Sequence, residues 1–138
     1  MLDFDINAKE FMPIIDEAKV ISVYDGDTIT IVAFPKNVIG CYKFHVRLAG
    51  IDTAEIKTKS DIEKEKALAS KQYLVQHIEN KIIHLKNIKK EKYGRLLADI
   101  YLDSVHINAL MLTEGGAVKY DGKKKTTVWD QKIENQMI

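Results

Sequence analysis

The sequence predicts a mainly β member of the α+β class: a five-stranded barrel carrying two to three helices. Three observations lead there. Five short segments are β-branched or alternate apolar with polar residues, one long amphipathic segment interrupts them after the third, and a shorter apolar helix follows the fifth. The length of 138 residues suits one domain, and a composition 46% hydrophobic and 30% charged suits a soluble chain with one core.

Residues 1–16 form an acidic arm, with Asp3, Asp5, Glu10 and Asp16 against Lys9, ahead of a domain over 17–138. Asp3-x-Asp5-x-Asn7 opens like a calcium loop, but Ala8 and Ile14 stand where glycine and a bidentate glutamate are required, which excludes an EF-hand. Val20-Ile21-Ser22-Val23 and Thr28-Ile29-Thr30-Ile31-Val32 read as two strands. Asp25-Gly26 between them is a hairpin signal, because glycine accepts the positive φ of such turns. Asp25 is read as a turn-former, and Asp27 sits where the second strand leaves the turn.

After a turn at Pro35, Asn37 and Gly40, residues 42–48 alternate as a third strand. Phe44, Val46 and Leu48 share its apolar side, so Arg47 is expected to face away from the core. Ser60 and Glu63 have capping-box spacing, which starts a helix running to about Glu79. Its buried stripe is read as Ala67, Leu68, Leu74, Val75 and Ile78. Residues 81–88 form the fourth strand and 95–102 the fifth. Ile107, Leu110 and Met111 mark the short helix closed by Gly115-Gly116. Residues 117–120 extend, Lys123-Lys124-Lys125 is a basic loop, and Val128-Trp129 opens a terminal helix or anchor. This order of strands and helices fits an OB-fold, whose closure removes sheet edges and whose face is a common oligonucleotide platform.

Net charge is +1, so any grip on a polyanion must be local. No apolar run approaches the ~18 residues of a membrane span. Residues 1–16 lack the basic head and apolar stretch of a signal peptide, so an intracellular site is expected. Cys41 is the single cysteine, which excludes an intrachain disulfide. The 21 basic residues are nineteen lysines and two arginines, Arg47 and Arg95. Lysine serves wherever a point charge suffices, so the two arginines are expected where a bidentate fork for phosphate is wanted, with codon bias as the alternative.

Asp27 and Asp52 are hard oxygen ligands suited to calcium or magnesium, and the Thr53 carbonyl can complete such a shell with water. Glu55, three residues past Asp52, is a candidate general base for an attacking water. Arg47 and Arg95 are candidates to clamp a phosphodiester and its transition-state charge. His45, on the strand face of Arg47, reads as a surface histidine, and the four histidines show no metal-ligand spacing.

Three stretches taken together are more specific. Val23-Tyr24-Asp25-Gly26-Asp27-Thr28, then Arg47-Leu48-x-Gly50-Ile51-Asp52-Thr53-x-Glu55, then Lys92-Tyr93-Gly94-Arg95 resemble the motifs of the staphylococcal nuclease family, in its order and with similar spacing. The resemblance covers roughly residues 18–129. It implies an OB-type barrel and a calcium-dependent endonuclease that cuts DNA and RNA, single strands preferred, to leave 3′-phosphates. By position it implies one calcium ion, rather than magnesium, on Asp27, Asp52 and the Thr53 carbonyl, with Glu55 as base and Arg47 and Arg95 on the phosphate. Tyr93 matches a tyrosine near the terminal phosphate. Tyr120 stands near the family's base-stacking tyrosine, with a packing role as the alternative.

The sequence departs from the family at Ala54, where proline is usual, in a shorter loop over 56–60 and in a shorter C-terminal helix. None of these removes a chemical group. The expectation is therefore a monomeric, metal-dependent phosphodiesterase, with a weakly active or inactive nucleic-acid or protein binding module as the alternative.

Overall fold

The computed structural model describes residues 3–123 and 129. Its frame is a closed, five-stranded mixed barrel of the OB type. β1 (Glu17–Asp25), β2 (Thr28–Ala33) and β3 (Tyr42–Leu48) form an antiparallel meander. A two-residue β4 (Ile51–Asp52) leads to α1 (Asp61–Ile78). β5 (Ile82–Lys90) returns beside β1 and pairs with β6 (Leu96–Leu102). β6 then lies parallel to β3, with Val46 opposite Leu96 and Arg47 opposite Leu97, and this pairing shuts the barrel. β7 (Val105–His106) extends the sheet, α2 (Ile107–Thr113) follows, and β8 (Val118–Lys119) pairs with β4.

Alternation in the strands supplies the core. Val20, Ile29, Ile31, Val46, Leu48, Ile83, Leu96 and Ile100 point inward and are fully or nearly fully buried. Leu74 and Ile78 of α1 and Met111 of α2 belong to the same apolar cluster. One polar residue lies inside this packing. Asn108 of α2, 2% exposed, accepts the Ile100 N–H at 2.9 Å and donates to the carbonyls of Ala49 (2.9 Å) and Ala98 (3.2 Å). It thereby ties β6 to the turn that feeds β4.

Several local expectations need correction. Gly26 is not among the residues with positive φ. A Cβ there would lie 2.7 Å from Ser70 Cβ and 2.8 Å from Thr53 Cγ2, so close approach of α1 and the β4 loop is what calls for glycine. Leu68 is 49% exposed, and Ser70 takes the buried helical position. The capping box is half formed. Ser60 Oγ accepts the Glu63 N–H at 3.2 Å, while the Glu63 carboxylate receives the Thr58 hydroxyl at 2.8 Å instead of reaching back to Ser60. β5 runs on to Lys90, through an irregularity between Lys86 and Lys89.

The segment before β1 is exposed as far as Met12; Pro13 and Ile15 are buried, and the Ile14 and Asp16 carbonyls accept from Lys36 and Leu85. No described helix is long and apolar enough to cross a membrane. Lys124, Lys125 and Val128, and hence most of the expected basic loop and the start of a terminal helix, lie outside the described residues.

Candidate active site

The β1–β2 turn builds the first wall of the site. Asp25 Oδ1 accepts the Asp27 N–H at 3.2 Å, the turn-forming contact expected of it. The Asp27 carbonyl receives the Leu48 N–H at 2.8 Å, its Oδ1 receives the Thr28 hydroxyl at 2.8 Å, and its Oδ2 receives the Thr53 N–H at 3.2 Å. Asp27 is therefore held from its own turn, from β3 and from the segment after β4.

Arg47 stands between the two candidate ligands. Its Nη2 approaches Asp52 Oδ1 at 3.3 Å and Asp27 Oδ2 at 3.5 Å, and donates to the Ile51 carbonyl at 3.0 Å. Its orientation is the expected one, and its burial is not something strand alternation predicts. It does face away from the barrel core, yet it is 8% exposed, with Asp27 at 6% and Asp52 at 2%. The outer face is roofed by chain from far away: the Tyr120 ring lies 4.9 Å from the guanidinium carbon, and the Tyr120 N–H is fixed to the Gly50 carbonyl at 2.9 Å. Strand alternation tells the core face from its opposite, and carries no information about what later covers the opposite face.

Barrel closure delivers the second arginine. Arg95 directly precedes Leu96, which pairs with Val46, so it arrives beside the strand of Arg47. A short 3₁₀ turn, Lys92–Gly94, places it, with Tyr93 and Gly94 in consecutive left-handed conformations (φ 64° and 81°). The Glu91 N–H donates to the Arg95 carbonyl at 2.7 Å, and Arg95 Nε donates to Glu91 Oε1 at 2.8 Å. Glu91 escaped the sequence reading, although its four-residue spacing from Arg95 is visible there. Among the described residues nothing accepts from the Arg95 Nη groups, or from Nε and Nη1 of Arg47.

These segments surround a cleft of about 580 Å³ lined by Asp25, Asp27, Arg47, Thr53, Glu55, Tyr93 and Arg95, with Tyr24, Thr30 and His45 on its β1–β3 side. Glu55 and Tyr93 are exposed on its rim, and Asp52 joins from beneath through Arg47. Tyr120 lines a neighbouring recess, with one ring face against Arg47.

The acidities of the two turn aspartates are driven apart. Burial, then the hydrogen bond to Asp27 and its charge, push Asp25 from 3.8 up to about 7. Burial also works against ionising Asp27. The hydrogen bond from Asp25, the charge of Arg47, the Thr28 hydroxyl and the Thr53 N–H outweigh it and hold Asp27 below the usual carboxylate range.

The donor chemistry fits a hard divalent cation. Asp27 and Asp52 converge on one guanidinium nitrogen, and the buried Thr53 Oγ1 has no hydrogen-bond partner among the described residues. No group of three or more His, Cys, Asp or Glu residues is gathered among those residues, so carbonyl and water oxygens would have to complete the shell. Such an all-oxygen shell suits calcium and magnesium, whereas zinc favours nitrogen and sulfur donors.

Fold and cleft define an OB-type domain with a groove of paired acids and two arginines. The chain belongs to the staphylococcal nuclease family: the family model described as staphylococcal nuclease homologue matches residues 45–137. Among relatives, an uncharacterized Bacillus anthracis protein is 32% identical over 86% of this chain and 54% of its own length. The thermonuclease of Staphylococcus hyicus is 33% identical over 70% of this chain and 55% of its own. An uncharacterized endonuclease of Haemophilus influenzae is 32% identical over 85% of this chain and 60% of its own. The chain thus spans little more than half the length of these relatives.

Proposed function

We propose that this chain is a nuclease: a monomeric, calcium-dependent phosphodiesterase that cuts DNA and RNA, single strands preferred, with little sequence preference, and leaves 3′-phosphate ends. Family membership and relatives named thermonuclease and endonuclease support the general activity. One observation carries the finer reading. Asp27, Arg47, Glu55 and Arg95, from the β1–β2 turn, β3, the loop after β4 and the β5–β6 turn, line a single cleft, and Asp52 of β4 pairs with Arg47 beneath it.

Asp27 and Asp52, with the Thr53 carbonyl, would hold the ion, which when bound polarises a phosphoryl oxygen. Glu55 takes the proton of the attacking water at a carboxylate oxygen. Arg47 offers Nε and Nη1, and Arg95 its two Nη groups, to the non-bridging oxygens as charge grows on them. The Glu91 carboxylate holds Nε of Arg95 and leaves its Nη groups to the phosphate. Exposed Tyr93 borders the same phosphate path, and Tyr120 braces the guanidinium of Arg47.

The test is to incubate the protein with single-stranded DNA and RNA in calcium and identify the product termini. Both should be cut to 3′-phosphate ends. Products ending in 3′-hydroxyls would overturn the mechanism, and strands bound but left whole would make the domain a binding module.

A further inference from the structure

Two rows of side chains cross the outer face of the β2–β3 ladder. Thr28 pairs with Arg47, and in the next row Thr30 pairs with His45. Residues two apart on a strand share a face at a spacing of about 7 Å. His45 thus stands one step from Arg47 along the cleft that both line.

The imidazole is already oriented. Its Nδ1 lies 3.1 Å from Thr30 Oγ1, while no described residue engages Nε2. Tyr24 enters from β1, where the register shifts between Val23 and Asp25 and leaves it as the extra residue of a bulge. Bulges re-aim side chains, and this one brings the Tyr24 ring, 58% exposed, to the same cleft. Among the described residues the ring has neither an aromatic nor a hydrogen-bonding partner. A solvent-facing ring on the wall of a cleft adds nothing evident to stability. Next to two phosphate-directed arginines, it offers a face on which any base can stack.

We propose that Tyr24, Thr30 and His45 form a subsite for the nucleotide adjoining the phosphodiester held at Arg47 and Arg95. Tyr24 stacks on the base, and His45 Nε2, oriented through Thr30, hydrogen-bonds that nucleotide. The inference rests on the proposed function, so its test separates binding from cleavage.

Affinity for fluorescently labelled tetrathymidylate is measured in chelator, where metal-dependent cleavage is off, and inorganic phosphate is used to displace it. Tyr24→Ala and His45→Ala should each weaken tetrathymidylate about tenfold, the scale of one lost stacking or hydrogen-bonding partner. Affinity for phosphate, which needs the arginines alone, should not change. Tyr24→Phe should keep wild-type binding, and His45→Gln should recover part of the loss. Equal weakening of phosphate and oligonucleotide, or weakening of neither, would overturn the subsite. A parallel assay in calcium keeps the two ideas apart: selective binding loss in a chain that does not cut retains the subsite and removes the phosphodiesterase.

Discussion

Replacing Arg47 by methionine probes the site through stability rather than turnover. The side chain keeps much of its apolar stem beneath Tyr120 and loses the charge that Asp27 and Asp52 share. Removing one partner of a buried ion pair typically costs about 3–5 kcal/mol, because the remaining charge is left desolvated. In a domain of this size that corresponds to a fall in Tm of about 10–20 °C. The loss should depend on pH. In the variant Asp27 loses the cation that favours its ionised form, so the penalty should be largest near pH 8 and shrink towards pH 5. Calcium should narrow the gap between variant and wild type by replacing the missing positive charge. Urea melts at both pH values, with and without calcium, read all of this provided the m-value is unchanged. A variant as stable as wild type near pH 8 in chelator would refute the idea that the two aspartates depend on Arg47.

Other changes test neighbouring parts of the frame. Asp25 ionises in the native state only near pH 7, against 3.8 ordinarily, so the native state holds a proton that the unfolded chain has lost between those values. Stability should therefore fall as pH rises through that window. Asp25→Asn, which keeps a donor towards Asp27, should flatten this dependence and gain about 1–2 kcal/mol above pH 7, allowing for solvent screening at a partly exposed site. A gain confined to acid pH in denaturant melts would reverse the assignment. Asn108→Ala strands the Ile100 N–H and the Ala49 carbonyl, while the Ala98 carbonyl keeps the Ala49 N–H. About 2–4 kcal/mol should be lost in urea melts, and a loss under about 1 kcal/mol would mean that water replaces the amide. Arg95→Lys should lower kcat at least about tenfold although charge is kept, since an ammonium cannot serve both Glu91 and a phosphate in forked geometry. Steady-state rates equal to wild type would remove the clamp.

Much of the barrel could be read from local pattern. The alternation in 28–32, 42–48 and 95–102 is set by one buried face per strand, and the strands lie there. The parallel pairing of β3 with β6 left no local trace, because register between strands distant in sequence is settled by the assembled core. The candidate site residues stand in motifs that the sequence displays, whereas their surroundings do not. The burial of Arg47 leaves no local trace, because the roof over it, Tyr120 and the Ile51–Asp52 strand, folds back from other parts of the chain. Gly26 was singled out for a torsion angle it does not adopt, and the clash a Cβ would meet comes from Ser70 and Thr53, which local sequence cannot foresee. Asn108, amid the apolar residues of a short helix, could have been flagged as a buried polar residue needing partners.

The most direct measurement is cleavage of a fluorogenic oligonucleotide by the whole chain, first in chelator and then after calcium is added in excess. The account predicts no cleavage in chelator, recovery with calcium, and failure of that recovery in Asp27→Asn and Asp52→Asn. Cleavage that ignores the chelator, or a chain inert in every divalent ion tried, would contradict it.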